Sequence, residues 1–409
     1  MSTPRHILMV LDHAFPPDLR IENEARTLKN AGYDVTVLAI GPDSRKKNDD
    51  FDGGLIVRDR IWGQIRNKMR GLAGTVGLLD LYLLRRLRAL HRLRRIDAIH
   101  AHDLYLFGAC IRAGRKLDIP VVGDMHENWV EALKHYKWST SFPGKLIVNI
   151  QKWDRLELKW SVAVDHLIVV IEEMADRLRQ RGISDSHMSV VPNTVNLDEF
   201  SSWPLEQLEQ FGTLRPRIIY TGGMDLHRGL EDPIRAMPWV LESIPDAELI
   251  LVGDGAVRGD LESLTGSLGL DDHVRFEGWQ EQSRVKSFMA YADIGLIPHK
   301  KTEHTDHTIP HKLFHYMHMR LPCMVSNCLP LQRIVSETGC GRIYTSGSSE
   351  ELASGLINLL QDDGERARMG NAGFVAVRDH YNWDATAGGL VTAYQQLFSP
   401  ERRSGESLV

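Results

Sequence analysis

The residues best suited to chemistry fall in a few short stretches. The strongest local signal is Tyr220-Thr-Gly-Gly-Met-Asp-Leu-His-Arg-Gly-Leu230, which follows a strand-like run and opens a helical one. Gly222 and Gly223 let the backbone approach a ligand closely. Free N–H groups at a helix start favour anions, and Arg228 adds a charged fork suited to phosphate. A plain strand-to-helix turn with a surface arginine is the competing reading. A second glycine turn, Leu251-Val-Gly-Asp-Gly-Ala256, comes one strand–helix unit later. Alone, Gly253 and Gly255 mark no more than a tight turn. The third stretch is Asp306-His-Thr-Ile-Pro-His-Lys-Leu-Phe-His-Tyr-Met317. Pro310 suits a first helical turn, Lys312 is placed to reach a phosphate, and His315 lies one turn beyond His311.

These histidines pose a metal question. His307, His311 and His315 are four apart, with His299, His304 and His318 near, and helical H-x-x-x-H binds zinc. Pro310 separates His307 from the helix and no H-E-x-x-H is present, so a polar rim without metal is expected. In the first half, Val122-Gly-Asp-Met-His-Glu127 follows a strand. His126 then sits at a strand's C-terminal end between Asp124 and Glu127. The preceding unit also ends in polar residues, His100-Ala-His-Asp103.

The elements that must position these residues alternate. Strands are expected at 7–11, 34–39, 97–101, 120–123, 166–171 and 189–191, with helices such as 22–30, 104–116 and 145–162 between them. The pattern restarts with strands at 217–221, 248–252, 274–276, 294–297 and 323–326 and helices at 229–240, 261–268 and 312–319. Such alternation gives an α/β class with parallel sheets covered on both faces. Gly32 reads as a helix C-cap. The seam is placed in 201–215, which is polar and followed by Pro216. The expected domains are 1–200, 201–385 and a C-terminal helix and tail, 386–409, that crosses back to the first domain. Ligands of such sheets sit beyond the C-terminal strand ends, so two facing sheets are expected to share a cleft.

Composition narrows the classes. The 409 residues are 43% hydrophobic and 25% charged, with net charge −5. These values suit a globular protein and exclude a disordered or fibrous chain. A general polyanion binder is excluded by the net sign. Cys110, Cys323, Cys328 and Cys340 form no C-x-x-C pair, which suits a reducing compartment. No signal peptide and no run near the roughly 20 apolar residues of a membrane span is present. A cytoplasmic protein is expected, at most peripheral on the inner membrane face. The stretch from Arg58 to Arg95 carries eleven Arg or Lys against two Asp. Leucines interleave with its arginines as in an amphipathic helix. It reads as a contact for anionic lipid or a phosphate-bearing acceptor, or as a solvated face of an ordinary helix. Aromatics for base stacking are sparse there, against nucleic acid.

In order, these motifs resemble a retaining glycosyltransferase of the GT-B fold, family four. The resemblance covers nearly the whole chain. Asp18-Leu-Arg20, Glu24-Ala25, Leu28 and Gly32-Tyr-Asp-Val35 resemble the family's first strand–helix unit. Asp124, His126 and Glu127 resemble its D-x-H-E segment, and Val191-Pro-Asn-Thr-Val195 with Phe200 the end of its first domain. Gly222 to Gly229, Gly253-Asp-Gly255, Phe276-Glu-Gly278, Ala292-Asp-Ile-Gly-Leu-Ile-Pro298 and Pro310-x-Lys312 resemble the donor half. The resemblance implies two Rossmann-like domains facing a central cleft. It implies a UDP-sugar or GDP-sugar held by Gly222, Gly223, Arg228, Gly253, Gly255, Gly278, His307, Thr308, Lys312 and His315. It implies an acceptor side with Arg20, Asp103, Asp124 and Glu127, and His126 and Arg228 as the catalytic pair, with no metal or cofactor. The acceptor expected is a glycan or lipid-linked sugar.

Three departures accompany the resemblance. His307 and His315 stand where the family often has two glutamates, and a neutral His315 offers ribose one acceptor nitrogen instead of two oxygens. Gly223 stands where a second basic residue is common. Pro16-Pro17 replaces paired glycines in the first loop. The alternatives are a nucleotide-sugar-binding protein without transfer and a GT-B epimerase. An NAD oxidoreductase lacks its G-x-G-x-x-G after the first strand.

Overall fold

The computed structural model describes residues 3–41, 48–61, 77–134, 139, 142, 148–212 and 215–399. The 62–76 part of the basic stretch, the start of the expected helix 145–162 and the tail beyond Ser399 lie outside the described residues. The chain forms two compact units, Met1–Pro192 with Ala387–Val409, and Asn193–Thr386.

The first unit is an eight-stranded sheet. Its strands are β1 (His6–Leu11), β2 (Asp34–Gly41), β3 (Asn48–Phe51), β4 (Gly54–Arg60), β5 (Ala98–His102), β6 (Val121–Met125), β7 (His166–Val169) and β8 (Met188–Val190). The order is β3-β4-β2-β1-β5-β6-β7-β8. All pairs are parallel except the β3–β4 hairpin. Every residue of β1 is buried, as a central strand covered on both faces requires. The hairpin was not expected: β3 is the polar run Asn-Asp-Asp-Phe, and its turn residues Asp52-Gly53 are the signal that identifies it.

The second unit is a six-stranded parallel sheet of β9 (Arg217–Thr221), β10 (Glu248–Val252), β11 (Val274–Gly278), β12 (Ile294–Ile297), β13 (Cys323–Ser326) and β14 (Gly341–Tyr344). Its order is β11-β10-β9-β12-β13-β14. Each sheet therefore reverses direction beside its first strand, at β1/β5 and at β9/β12. In open α/β sheets that reversal opens a crevice for ligands at the strands' C-terminal ends.

The division falls at Pro192/Asn193, ahead of the 201–215 seam read from sequence. The short helix Leu197–Ser202 belongs to the second unit because Phe200 stacks on His315, centroids 4.6 Å apart. Lys286 also fixes it, donating to the carbonyls of Phe200, Ser201 and Trp203 at 2.8–3.0 Å. The helix Gly388–Leu397 belongs to the first unit, where Tyr394 packs on Tyr33.

The helix Leu78–Leu93 buries Leu79, Leu83 and Leu87 on one stripe. Its exposed face carries Leu78, Leu81, Arg85, Arg88 and Arg92. Part of the basic stretch is compensated within the fold, since Arg86 pairs with Asp59, Arg94 with Asp34 and Arg95 with Asp97.

Candidate functional site

At the C-terminal ends of β9, β10 and β11 lies a glycine ledge. Gly222, Gly253 and Gly278 adopt φ of 130°, 138° and 68°, conformations that favour glycine. The Gly222 N–H donates to Val252 O and the Gly253 N–H to Gly278 O, both at 2.8 Å. A Cβ on Gly253 would lie 2.0 Å from Gly222 O, and one on Gly255 2.4 Å from Met224 O. Gly253 and Gly255 are thus explained by the interlocking of two turns. Gly222 has a different reason: its Cβ would lie 2.8 Å from Lys312 Nζ. Gly223 faces more open space, its nearest neighbour being Asp225.

Two cations meet this ledge. Lys312 opens the helix Lys312–His318 and is buried. Its ammonium rests 3.6 Å from the centroid of the Tyr220 ring, a cation–π contact. Burial, reinforced by the nearby Arg228 charge, pushes its pKa well below the ordinary lysine value. Arg228 ends the 3₁₀ turn Leu226–Arg228. Its Nη1 lies 3.0 Å from His299 Nε2, and its buried Nε has no hydrogen-bond partner among the described residues. Burial and then the two cations keep His299 neutral. Neither cation has a carboxylate partner among the described residues. Arg228 is half-buried and Lys312 buried, and like charges brought together away from water are costly unless an anion completes them.

The helix after Arg228 begins only at Glu231. Its first turn is occupied by Glu231, paired with Lys300 at 3.1 Å, and by Asp232, which accepts from Gly347 N–H at 2.9 Å. The first turn of this helix therefore carries two carboxylates with partners of their own, and the positive charge near the ledge is that of Arg228 and Lys312. His307 lies on the separate 3₁₀ turn Thr305–His307, its Nδ1 2.7 Å from Glu303 O. Thr308 Oγ1 donates to His304 O at 3.3 Å. His315 stacks on Phe200 with rings 13° apart, and burial lowers its pKa to about 3. His307 and His315 thus sit on different elements. Sequence reasoning missed His299 as the partner of Arg228.

The first unit carries a different cluster at its strand ends. Asp18 caps the helix Leu19–Asn30, which aims Arg20 into the sheet edge. The buried Arg20 donates through Nη2 to Asp124 Oδ1 at 2.8 Å and through Nη1 to Val191 O at 2.9 Å. Glu24 Oε1 lies 2.9 Å from Arg20 Nε. Asp124 is the penultimate residue of β6, and His126 Nε2 lies 3.0 Å from its Oδ2 and 3.1 Å from His102 Nδ1. Arg20 and Asp124 are buried, so they support His126 from behind. His126, Asp103 and Glu127 are only half-buried. Burial raises the Glu24 carboxyl well above its ordinary value, while Arg20 and then His126 hold Asp124 well below, against its own burial. His102, buried next to His100, is held neutral. Burial opposes charge on His126, but Asp124 and then Asp103 outweigh it and raise its pKa to about 9.

Donor atoms of Glu24, His100, His102 and Asp124 all lie within 4.8 Å of one another, close enough to consider a metal. Two observations favour a proton-bearing network instead. Arg20 already supplies the compensating cation. The His100 and His102 rings stack at 4.3 Å and 13°, so their lone pairs run side by side and do not converge on one ion.

Two family models match the chain in tandem. The family model described as Glycosyltransferase Family 4 matches residues 20–199, and that described as Glycosyl transferases group 1 matches 206–375. A phosphatidyl-myo-inositol mannosyltransferase of Mycobacterium leprae is 29% identical over 314 residues, 76% of each chain. Among solved structures, sucrose-phosphate synthase from Thermosynechococcus elongatus superposes with a TM-score of 0.77 at 18% identity, covering 96% of this chain and 99% of that one. HepE from Anabaena in complex with UDP-glucose gives 0.67 at 16% identity, covering 98% and 99%. The two matched models and the two sheets together show that the chain is an enzyme of the GT-B glycosyltransferases, family four, group 1.

Proposed function

We propose that the chain moves a sugar, with retention of anomeric configuration, from a nucleoside-diphosphate sugar to a glycan or lipid-linked acceptor. The observation that carries this is the pair formed by the half-buried Arg228 and the buried Lys312, which lacks a carboxylate among the described residues and lies against a ledge of bare backbone. Departure of a nucleoside diphosphate builds negative charge on its terminal phosphate, and preorganised cations in a site shielded from water stabilise that charge. The leaving phosphate then takes the acceptor's proton as the acceptor attacks from the same face. His126 donates a hydrogen bond to a sugar hydroxyl and is not a nucleophile. No metal enters the step. HepE and a trehalose-6-phosphate protein of E. coli bind UDP-sugar ligands, which supports a nucleotide-sugar donor here.

The relatives named for phosphatidyl-myo-inositol support a lipid-linked acceptor. So does the exposed face of the helix Leu78–Leu93, with Leu78 and Leu81 followed by three arginines. Such a face suits peripheral attachment to an anionic cytoplasmic leaflet. Among the described residues no helix is long and apolar enough to cross a membrane.

A thermal-shift panel with UDP, GDP, ADP, CMP and NAD tests the donor. A ligand at 100 times its Kd adds about 2.7 kcal/mol. Stabilisation by one nucleoside diphosphate, and by its sugars, is expected. Stabilisation by none of them overturns the reading. Sedimentation with vesicles of phosphatidylcholine alone or mixed with phosphatidylglycerol tests attachment, which is expected with the anionic mixture only.

A further inference from the structure

Of the two cations at the ledge, Lys312 rests on an aromatic ring and Arg228 on a histidine. Backbone packing dictates the second contact. Gly229, at φ 65°, brings the 3₁₀ turn Leu226–Arg228 so close to the loop after β12 that a Cβ there would lie 2.1 Å from Pro298 O. The Lys300 N–H donates to His227 O at 3.0 Å and fastens the turn to that loop a second time. His299 is the residue between these two contacts. Its own carbonyl accepts from Ser346 Oγ at 3.3 Å and from Cys328 Sγ at 3.6 Å, which ties the loop to the segments that follow β14 and β13. His299 is 3% exposed, and its Nε2 lies 3.0 Å from Arg228 Nη1. A guanidinium has donors only, so Nε2 is the acceptor and the ring proton is on Nδ1.

We propose that His299 is a positioning residue for Arg228: it occupies Nη1 with an uncharged acceptor and so presents the Nε–Nη2 edge, with its positive charge intact, to the terminal phosphate of a nucleoside diphosphate. That edge carries two parallel N–H bonds, the arrangement that forks to two phosphate oxygens. Arg228 Nε is buried and has no hydrogen-bond partner among the described residues, so the edge is open to a ligand. A carboxylate in place of His299 would orient the guanidinium equally well. It would also cancel the charge, as Asp124 does for Arg20, and compete with the diphosphate. The imidazole orients without cancelling. Burial, then Arg228, Lys312, His227 and His304 in turn, all disfavour its protonation, so the acceptor lone pair persists near neutral pH. This role for His299 rests on the nucleoside-diphosphate site proposed above and adds the group that aims it.

The test compares His299→Gln, His299→Asn and His299→Glu in the full chain. The amide oxygen of glutamine reaches the place of Nε2, whereas that of asparagine reaches only the place of Nδ1. Glutamate has the reach of glutamine and adds a negative charge. Calorimetry near neutral pH measures Kd for UDP, GDP, UMP and GMP, and melting temperatures show which variants fold. The glutamine variant should bind the diphosphate that wild type binds within about threefold of wild type, because the charge-assisted bond is kept. The asparagine variant should bind it about tenfold or more weakly, the loss of one hydrogen bond to a charged group. Its affinity for the corresponding monophosphate should stay within about twofold of wild type, because that ligand lacks the phosphate that Arg228 meets. A generally disturbed site would weaken both ligands. The glutamate variant should lose about tenfold or more for the diphosphate despite its reach, since it cancels the charge. If its carboxylate prevents folding, the glutamine and asparagine pair decides alone. Equal diphosphate affinities in that pair, equal losses for diphosphate and monophosphate in the asparagine variant, or wild-type diphosphate affinity in a folded glutamate variant overturns the inference. A wild type that binds neither UDP nor GDP overturns the proposed function itself.

Discussion

The strand ends of the two units use one topology for opposite electrostatics. β1 and β9 occupy the same place in their sheets, each beside the reversal of strand order. Beyond β1, β5 and β6 the chain carries titratable side chains, and nearly every charge has an opposite: Arg20 with Asp124, His126 with Asp124 and Asp103. Beyond β9, β10 and β11 it carries glycines, and the charges that reach the ledge, Arg228 and Lys312, are both positive. Their neighbours are a phenol ring and a neutral imidazole. The fold fixes where a ligand sits. In the proposed reading, whether the protein's own charges cancel decides which ligand is suited, hydroxyls in the first case and a polyanion in the second.

Removing one cation from each unit separates the two regimes. Arg20→Ala should cost the most stability. It leaves Asp124 buried without its bidentate partner, and breaking such a pair costs about 3–5 kcal/mol, read from urea unfolding. A loss below about 1 kcal/mol would mean that Asp124 simply takes up a proton. Arg228→Ala should leave stability nearly unchanged, because no carboxylate depends on it. Its turnover should fall on the order of 10²–10³-fold, the loss seen when one preorganised charge stabiliser is deleted. Steady-state transfer kinetics check this, and unchanged kcat would remove Arg228 from the mechanism.

A third outcome concerns protons. Lys312 is pushed below its ordinary value by burial and by Arg228, whereas a bound diphosphate favours the charged ammonium. Diphosphate binding should therefore take up a proton wherever the free lysine is neutral. Affinity should then fall by up to about tenfold per pH unit as the pH rises above the free lysine's pKa. Calorimetry of UDP or GDP binding in buffers of different ionisation enthalpy measures the uptake, and Lys312→Met should abolish it. In the first unit no comparable uptake is expected, since its network is already neutralised.

What was legible in the sequence follows the same divide. The parallel strands were readable because β-branched runs such as Ile7–Leu11 alternate with helical stretches. Arg228 and His126 stood out because each follows such a run, and Lys312 because Pro310 marks the start of its helix. The β3–β4 hairpin was not, because Asn48–Phe51 is polar and lies at the sheet edge. The roles of Arg20 and Asp124 were not readable either. Burial and pairing at 2.8 Å between residues 104 apart depend on the sheet that joins them. The glycine pair Gly253 and Gly255 read by itself as no more than a tight turn; that two turns interlock there and demand both glycines came only with the structure. His315 read as a weaker ribose ligand; its stacking on Phe200 came only with the structure.

That stacking gives the smallest expected effect. The folded His315 has a pKa of about 3, against an ordinary value near 6.5. Protonation is thus disfavoured in the folded state, so the stabilisation is fully present above pH 6.5 and is lost as pH falls toward 3. The slope is about 1.4 kcal/mol per pH unit in that window at most, roughly 1 kcal/mol between pH 6.5 and 5.5. His299, His102 and other buried histidines add slopes of the same sign, so the informative quantity is a difference. His315→Phe keeps a flat ring against Phe200 and removes the titrating nitrogen. Urea unfolding of both proteins at pH 7, 6 and 5 should show the variant losing less stability on acidification. Parallel pH profiles would mean that the His315 ring is solvated enough to protonate in place, adding a positive charge one helical turn from Lys312 in acid.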